Sequence, residues 1–250
     1  MKIAIPELNN PVFKEVLKSF PDLTPISASS PTVAAQMVAS GQADTLISGL
    51  DYPSRDVLIA CKDNIPLNSP FFSSCFICQK DNQIIALADG GVNKLPNLEQ
   101  YYTIVEDTAN TFVKYTGEQP KIALLSYSTH GSGGKNPDLD RIYAAKDKIT
   151  TNHPDWLIDG EIQLDAAINP NVAAKKVPNS PLKGNANILI VPDLNSGNIL
   201  YKSLEQYSGF TCAGPIIQGF IKPLADLSRG STPADITLTI KVISKLLERS

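Results

Sequence analysis

Three stretches of this sequence set hydroxyl, amide and charged side chains among glycines, a combination that can hold an anion or stabilise charge growing on a carbonyl oxygen. The first is Ser126-Tyr127-Ser128-Thr129-His130-Gly131-Ser132-Gly133-Gly134, which follows the apolar run 121–125. A strand opening into such a loop can turn main-chain N–H groups and hydroxyls toward an anion. The other reading is a flexible strand-to-helix connection. It is not a P-loop: Gly134-Lys135 is followed by Asn136, and Thr129 stands where the first glycine belongs. The second stretch, Pro192-Asp193-Leu194-Asn195-Ser196-Gly197-Asn198, also joins a strand end to a helix start, where ligands bind in open α/β sheets. Ser196 as a helix N-cap is the alternative account.

The third stretch is Asp226-Leu227-Ser228-Arg229-Gly230-Ser231-Thr232-Pro233-Ala234-Asp235. Gly230 and Pro233 argue for a helix starting near Pro233, capped by Ser231 or Thr232, with Ser228-Arg229-Gly230 as a loop. Asp235 is then either a reactive carboxylate or a first-turn residue favoured by the helix dipole, worth about 0.3–1 kcal/mol. Arg229 is either a ligand-binding cation or a surface one.

The elements that must position these stretches follow an α/β rhythm of short apolar strand, polar loop and helical spacing. Strands are expected at 3–6, 45–48, 71–79, 83–88, 121–125, 188–191 and 213–217. Helices are expected at 12–20, 33–40, 54–62 with Ser54 as N-cap, 98–115, 137–149, 196–207 and 233 to about 249. Proline, asparagine and serine crowd 64–70, which marks a boundary near residue 68. At 250 residues and 42% hydrophobic content the chain can build ordinary cores without staples. Four cysteines include Cys75-x-x-Cys78, but the two histidines, His130 and His153, are isolated, so packed, reduced thiols are expected rather than a metal site. A net charge of −3, from 22 basic and 25 acidic residues without single-sign runs, excludes a general nucleic-acid or membrane surface. No apolar run approaches the roughly 20 residues of a membrane span, and the opening Met1-Lys2-Ile3-Ala4-Ile5-Pro6 reads as a strand, so a cytoplasmic protein is expected.

The three stretches and their neighbours together resemble the phosphate acetyltransferases, within the phosphate acetyl/butyryl-transferase family. The matching segments are 125–129, 158–167, 177–181, 191–198 with Tyr201-Lys202, and Gly214-Pro215-Ile216-Ile217-Gln218-Gly219 running into Lys222-Pro223 and 226–230. Ala43-Asp44-Thr45-Leu46-Ile47-Ser48-Gly49 is similar to a strand end of that family. The resemblance implies two α/β domains of mostly parallel sheets with helices on both faces, an isocitrate/isopropylmalate dehydrogenase-like architecture with the active site in the interdomain cleft. The domains are expected at 1–68 with 222–250, and at 69–221.

The resemblance further implies interconversion of acetyl-CoA plus phosphate with acetyl phosphate plus CoA by a homodimer, with CoA as substrate and no cofactor or metal. Ser228 and Arg229 fall on the family's Ser-Arg-Gly motif and Asp235 on its aspartate base. The substrate-binding set is Ser126, Tyr127, Ser128, Thr129, Gly131, Ser132, Gly133, Asn195, Ser196, Gly197, Asn198, Lys202 and Gln218. Moving a proton from a thiol of pKa about 8.5 to a carboxylate of pKa about 4 costs about 6 kcal/mol. Transfer must therefore be coupled to attack, or desolvation must raise the carboxylate. The chain departs from the family in a shorter segment ahead of Ala43, which lacks a basic stretch, and in Ile59, which aligns with a family arginine one turn beyond Arg55. Alternatives within the resemblance are an acetyl-CoA-sensing domain, as on some malic enzymes, and a butyryl or propionyl transferase.

Overall fold

A computed structural model describes residues 1–248. In chain order its elements are β1 (Lys2–Ile5), α1 (Pro11–Leu17), β2 (Thr24–Ser27), α2 (Pro31–Ala39), β3 (Thr45–Ser48), α3 (Ser54–Asn64), β4 (Ser73–Lys80), β5 (Gln83–Ala88), α4 (Leu98–Thr116), β6 (Lys121–Leu125), α5 (Pro137–Asn152), β7 (Leu157–Ile162), α6 (Leu164–Ile168), α7 (Pro170–Lys176), β8 (Ile188–Ile190), α8 (Leu194–Ser208), β9 (Thr211–Gln218), β10 (Leu224–Asp226) and α9 (Pro233–Glu248). The expected bounds of β3, β5 and β6 coincide with those found. The expected end of the last helix, Arg249, lies outside the described residues.

The chain forms two compact units, one of 1–72 with the segment from Thr211 onward, the other Ser73–Phe210. In the first, the strand order is β2-β1-β3-β10-β9, parallel except for the β10–β9 pair. Ile3, Ile5, Leu46 and Ile47 fill its core, and β9 packs against α9. The proline- and asparagine-rich segment around residue 68 is pinned within this unit: Asn68 N–H donates to Gly219 O at 2.9 Å and Ile221 N–H to Pro66 O at 3.1 Å. In the second unit the order is β4-β5-β8-β6-β7, antiparallel at β4–β5 and parallel thereafter. Ile77, Leu87, Ile122 and Leu124 are buried in its core, as are Tyr101 and Phe112 of α4.

Helix starts follow local chemistry. Asn10, Ser30, Asn97 and Asn136 each accept a main-chain N–H of the following turn. Ser54 does not cap α3; Pro53 occupies the N-cap with no side-chain bond, and Ser54 instead hydrogen-bonds Asp226. Sequence periodicity misses β2, β7 and β10. Strand β2 is an exposed edge containing Pro25, which an edge tolerates. Strand β7 carries Asp159-Gly160-Glu161 in its buried middle, and that polarity masks the apolar pattern. Alternation along β4 sends Cys75 and Cys78 to opposite faces, so the Cys-x-x-Cys pair does not act as a unit. Cys61 and Cys75 are buried free thiols as expected, whereas Cys78 and Cys212 are not free thiols, against the expectation for them. No helix among the described residues is long and apolar enough to cross a membrane.

Candidate functional site

In the first unit, β10 ends at Asp226 and α9 begins at Pro233, and the connection between them carries Ser228 and Arg229. It is a tight turn: Ser231 N–H donates to Ser228 O at 2.9 Å and Gly230 N–H to Ser228 Oγ at 3.3 Å. Ser228 is half-buried and Arg229 exposed. Asp235 is 6% exposed and heavily engaged. Its Oδ1 accepts the Cys212 N–H at 3.0 Å, and its Oδ2 accepts the Thr232 N–H and hydroxyl at 2.8 and 2.7 Å. Asp235 N–H returns a bond to Thr232 Oγ1 at 3.2 Å. Of the two possible caps, Thr232 is therefore the one used, in a reciprocal arrangement. A carboxylate offers about four acceptor positions, and three are occupied. Gln218, at the end of β9, is buried in the same unit, and Ile59 of α3 is 44% exposed.

In the second unit, the loop after β6 is tied to β7 through Glu161, which is fully buried. Ser128 Oγ donates to Glu161 Oε1 at 2.6 Å, and the Gly131 N–H reaches the same oxygen at 2.8 Å. Ser128 Oγ in turn accepts the Gly133 N–H at 2.7 Å, and Ser132 Oγ accepts the Thr129 N–H at 3.0 Å. The remaining N–H groups from Ser128 to Gly134 also find protein acceptors: Ser126 Oγ, Glu161 O, Thr129 O and Gly131 O. The loop is thus neither a flexible link nor an open ring of N–H donors, because its own carboxylate has taken the anion's place. Burial pushes the Glu161 carboxyl up, but Ser128, the adjacent Tyr143 hydroxyl and the Gly131 N–H outweigh it and hold it below the usual range. Outward, the loop presents Tyr127, which is 63% exposed, and the exposed run from His130 to Gly134, while Ser126 is half-buried. His130, at φ 45°, points Nε2 at the buried Asp159, 3.0 Å away.

Asn195, Ser196, Gly197 and Asn198 lie in the first turn of α8. The helix begins two residues earlier than expected, and its cap is Asp193 rather than Ser196: Asp193 Oδ1 accepts the Ser196 N–H at 2.9 Å. Gly197 is required by close approach, since a Cβ there would lie 2.5 Å from Asp89 O and 2.8 Å from Gly90 Cα. This contact walls a pocket of about 220 Å³ lined by Gly90, Gly91, Leu194, Asn195, Asn198 and Ile199. Its glycine wall is shaped by Asp89, whose carboxylate accepts the N–H groups of Gly91, Val92 and Asn93 at 3.0–3.1 Å, with Ser74 donating as well. Lys202 lies outside the pocket lining, 3.1 Å from the Tyr201 hydroxyl.

The sequence motifs assign no task to Asp89, Asp159 or Glu161, the carboxylates that organise these loops. The signal for the last two was present: acidic residues flank a glycine inside an otherwise strand-like run, and a buried charge requires dedicated partners. Among the described residues no group of three or more His, Cys, Asp or Glu side chains is placed to hold a metal.

These two units, each a mostly parallel sheet packed with helices and with acidic and hydroxyl side chains at strand ends, define an α/β protein, and comparison with known proteins specifies the family. The model of the Phosphate acetyl/butaryl transferase family matches residues 21–243. The chain belongs to that family. It is 37% identical over 220 residues to the phosphate acetyltransferase of Treponema pallidum, covering 84% of this chain and 65% of that one. The chain spans less than two thirds of the length of such curated relatives. A phosphotransacetylase structure from Streptococcus pyogenes superposes with a TM-score of 0.88 at 29% identity, covering 100% of this chain and 94% of that chain. A Salmonella typhimurium structure described as a putative 4-hydroxythreonine-4-phosphate dehydrogenase shares the fold, at a TM-score of 0.55 and 11% identity, with 98% of this chain and 99% of that chain covered.

Proposed function

We propose that this protein moves an acetyl group between coenzyme A and inorganic phosphate, interconverting acetyl-CoA plus phosphate with acetyl phosphate plus CoA. The observation that carries the reading is the 228–235 segment, where a tight turn presents Ser228 and an exposed Arg229 immediately ahead of the buried carboxylate of Asp235. The Arg229 guanidinium and the Ser228 hydroxyl supply donors for the oxygen that gains charge when a thiolate attacks the acetyl carbonyl. Asp235 is the base for the CoA thiol in this reading. Its one open acceptor position is on Oδ1, so the proton would be taken there.

The pocket beside Asn195 and Asn198 and the side chains of Ser126 and the exposed Tyr127 are assigned to substrate binding by this reading. Their neutral donors can hydrogen-bond phosphate oxygens without adding charge. Arg141 does not serve here, because its guanidinium donates to the Pro96 and Pro192 carbonyls. The reading includes a cytoplasmic homodimer, to be checked by light scattering of the purified chain. The direct test is formation of acetyl-CoA from acetyl phosphate and CoA, followed by thioester absorbance. Appearance of thioester, lost in Arg229→Lys while melting is retained, is the expected result. No turnover in a folded protein that still responds to acetyl-CoA in a thermal shift would establish a sensing domain instead. The exposed Ile59, in place of a family cation, is the observation that favours that second reading.

A further inference from the structure

Immediately ahead of Ser228 lies a cluster of buried oxygens that the proposed reaction does not use. Strands β1, β3 and β10 are parallel neighbours, and Glu7, Ser48 and Asp226 sit at or just beyond their carboxyl ends, at 5%, 0% and 2% exposure. Glu7 Oε2, Ser48 Oγ and Asp226 Oδ1 each lack a hydrogen-bond partner. Glu7 Oε1 accepts the main-chain N–H groups of Gly49 at 2.9 Å and Asp51 at 3.3 Å. Asp226 has only the Ser54 hydroxyl, from the start of α3.

The surroundings offer no countercharge. From α3 comes Cys61, whose thiol is pushed up to about 12 by burial and then by the Asp226 charge. Strand β9 brings Ile216 and Ile217 to its paired positions on β10, and α9 directs its own buried carboxylate, Asp235, to Cys212 and Thr232. No ion pair to Glu7 or Asp226 is found among the described residues. Two buried carboxyl groups with N–H donors for only one of them do not both stay charged. The proton goes to Asp226, whose pKa is raised to about 7 by burial, against the Ser54 hydrogen bond and with the help of the Glu7 charge.

Backbone geometry couples this carboxyl to the turn. Asp226 is paired with Ser48 across the β10–β3 ladder, and Leu227 N–H donates to Ser48 O at 2.5 Å. A Cβ on Gly49, at φ +118°, would lie 2.3 Å from Leu227 O and 2.7 Å from Asp226 Oδ1, so the 226–227 backbone is seated on Gly49 without slack. An anion appearing at Asp226 would face Glu7 with an unsatisfied oxygen, and the route to relief is outward movement of the strand end.

We infer that Asp226 is a positioning residue for Ser228 and Arg229: neutral, it seats the 226–227 segment on Gly49, and on ionising it displaces the turn that carries them. The consequence for rate rests on the acetyl-transfer reading above; the displacement does not.

The test follows the main-chain amides of Ser228 and Arg229 by NMR between about pH 5 and about pH 9, in the full chain and in Asp226→Asn, with acetyl-CoA formation measured alongside. In the wild type the two amides should shift with one single-proton midpoint near neutrality, and in the variant that shift should vanish. The ratio of variant to wild-type rate should rise about tenfold for each pH unit above the midpoint, a comparison in which ionisation of the CoA thiol cancels. Glu7→Gln, measured in the same way, should move the midpoint down, and it serves if Asp226→Asn fails to fold. Amides that titrate alike in wild type and variant, or a midpoint indifferent to Glu7→Gln, would overturn the inference. Titrating amides in a protein that makes no acetyl-CoA would instead sink the proposed reaction and leave the inference standing.

Discussion

Asp235 and Thr232 cap one another at the start of α9, the Thr232 N–H and hydroxyl donating to Asp235 Oδ2 and the Asp235 N–H returning a bond to Thr232 Oγ1. A carboxylate held in this way has a structural task whatever its chemistry, and paired substitutions separate the two. Thr232→Ala removes the cap and should cost about 0.5–2 kcal/mol of stability with little change in turnover. Asp235→Asn turns an amide N–H₂ toward N–H donors and should cost about 1–3 kcal/mol. It should also lower turnover by roughly 10²–10⁴, as loss of a general base does. If melting falls comparably in both variants and neither loses rate, Asp235 is a cap only.

Glu161 is the anchor of the 128–133 loop, so Glu161→Gln should loosen that loop specifically. The glutamine keeps a carbonyl oxygen for the Ser128 hydroxyl and the Gly131 N–H but loses the charge that strengthens both bonds, at a cost of about 1–3 kcal/mol. Hydrogen exchange at the Gly131 and Gly133 amides should quicken by more than exchange in β6. Uniform protection changes across the second unit would show that the loop does not depend on this carboxylate.

The buried acids give the pH dependence of stability two opposite limbs. Glu161, held below its ordinary value of 4.5, contributes stability that is present above that pH and is lost as pH falls through its folded value. Asp226, raised to about 7, binds its proton more tightly when folded; its contribution is full below about pH 4 and is lost as pH rises toward 7. Its size is at most about 4 kcal/mol, at 1.36 kcal/mol per pKa unit. Denaturant melts at several pH values should show Asp226→Asn gaining on the wild type between about pH 4 and pH 7, and Glu161→Gln losing its deficit only under acid conditions.

Ile59 is 44% exposed on α3, so a longer cationic side chain can be accommodated there without repacking. If a cation at this position serves phosphate, its absence costs about 1.5–3 kcal/mol per charged hydrogen bond, or roughly 10- to 150-fold in affinity. Ile59→Arg should then lower the phosphate concentration needed for half-maximal turnover and leave that for CoA nearly unchanged. An equal change for both substrates would mean a general electrostatic effect.

Gly197→Ala should damage the α8 pocket, since its Cβ would meet Asp89 O at 2.5 Å and Gly90 Cα at 2.8 Å, both main-chain atoms. Overpacking of this kind costs about 1–3 kcal/mol. A crystal structure should show the 89–91 loop displaced, and the CoA thermal shift should shrink; an unchanged shift would remove this pocket from substrate binding.

The sequence alone determined the local elements whose signals are local. Buried apolar runs bounded by turns gave β3, β5 and β6, and helical spacing marked α2, α4 and α5. The order of the motifs from 125 to 230 was enough for the family resemblance, because motif identity and spacing survive in one dimension. The edge strand β2 and the polar strand β7 escaped, since what makes them strands is pairing with β1 and β6.

Tertiary structure decided which chemistry each polar residue is free to do. The loop at 126–134 carries the composition of an anion site, yet its N–H groups are spent on Glu161 and on one another, a fact that depends on a residue some thirty positions away. Asp235 could be a cap or a base from sequence, and the fold gave it the partners of a cap by bringing Thr232 and the Cys212 N–H to its two oxygens, with one acceptor position left open on Oδ1. Asp226 and Glu7 lie far apart along the chain and become partners only where β10 and β1 flank β3. Hydrogen bonding and desolvation are properties of neighbours in space, so the state of a buried carboxyl is fixed only when the strands are assembled.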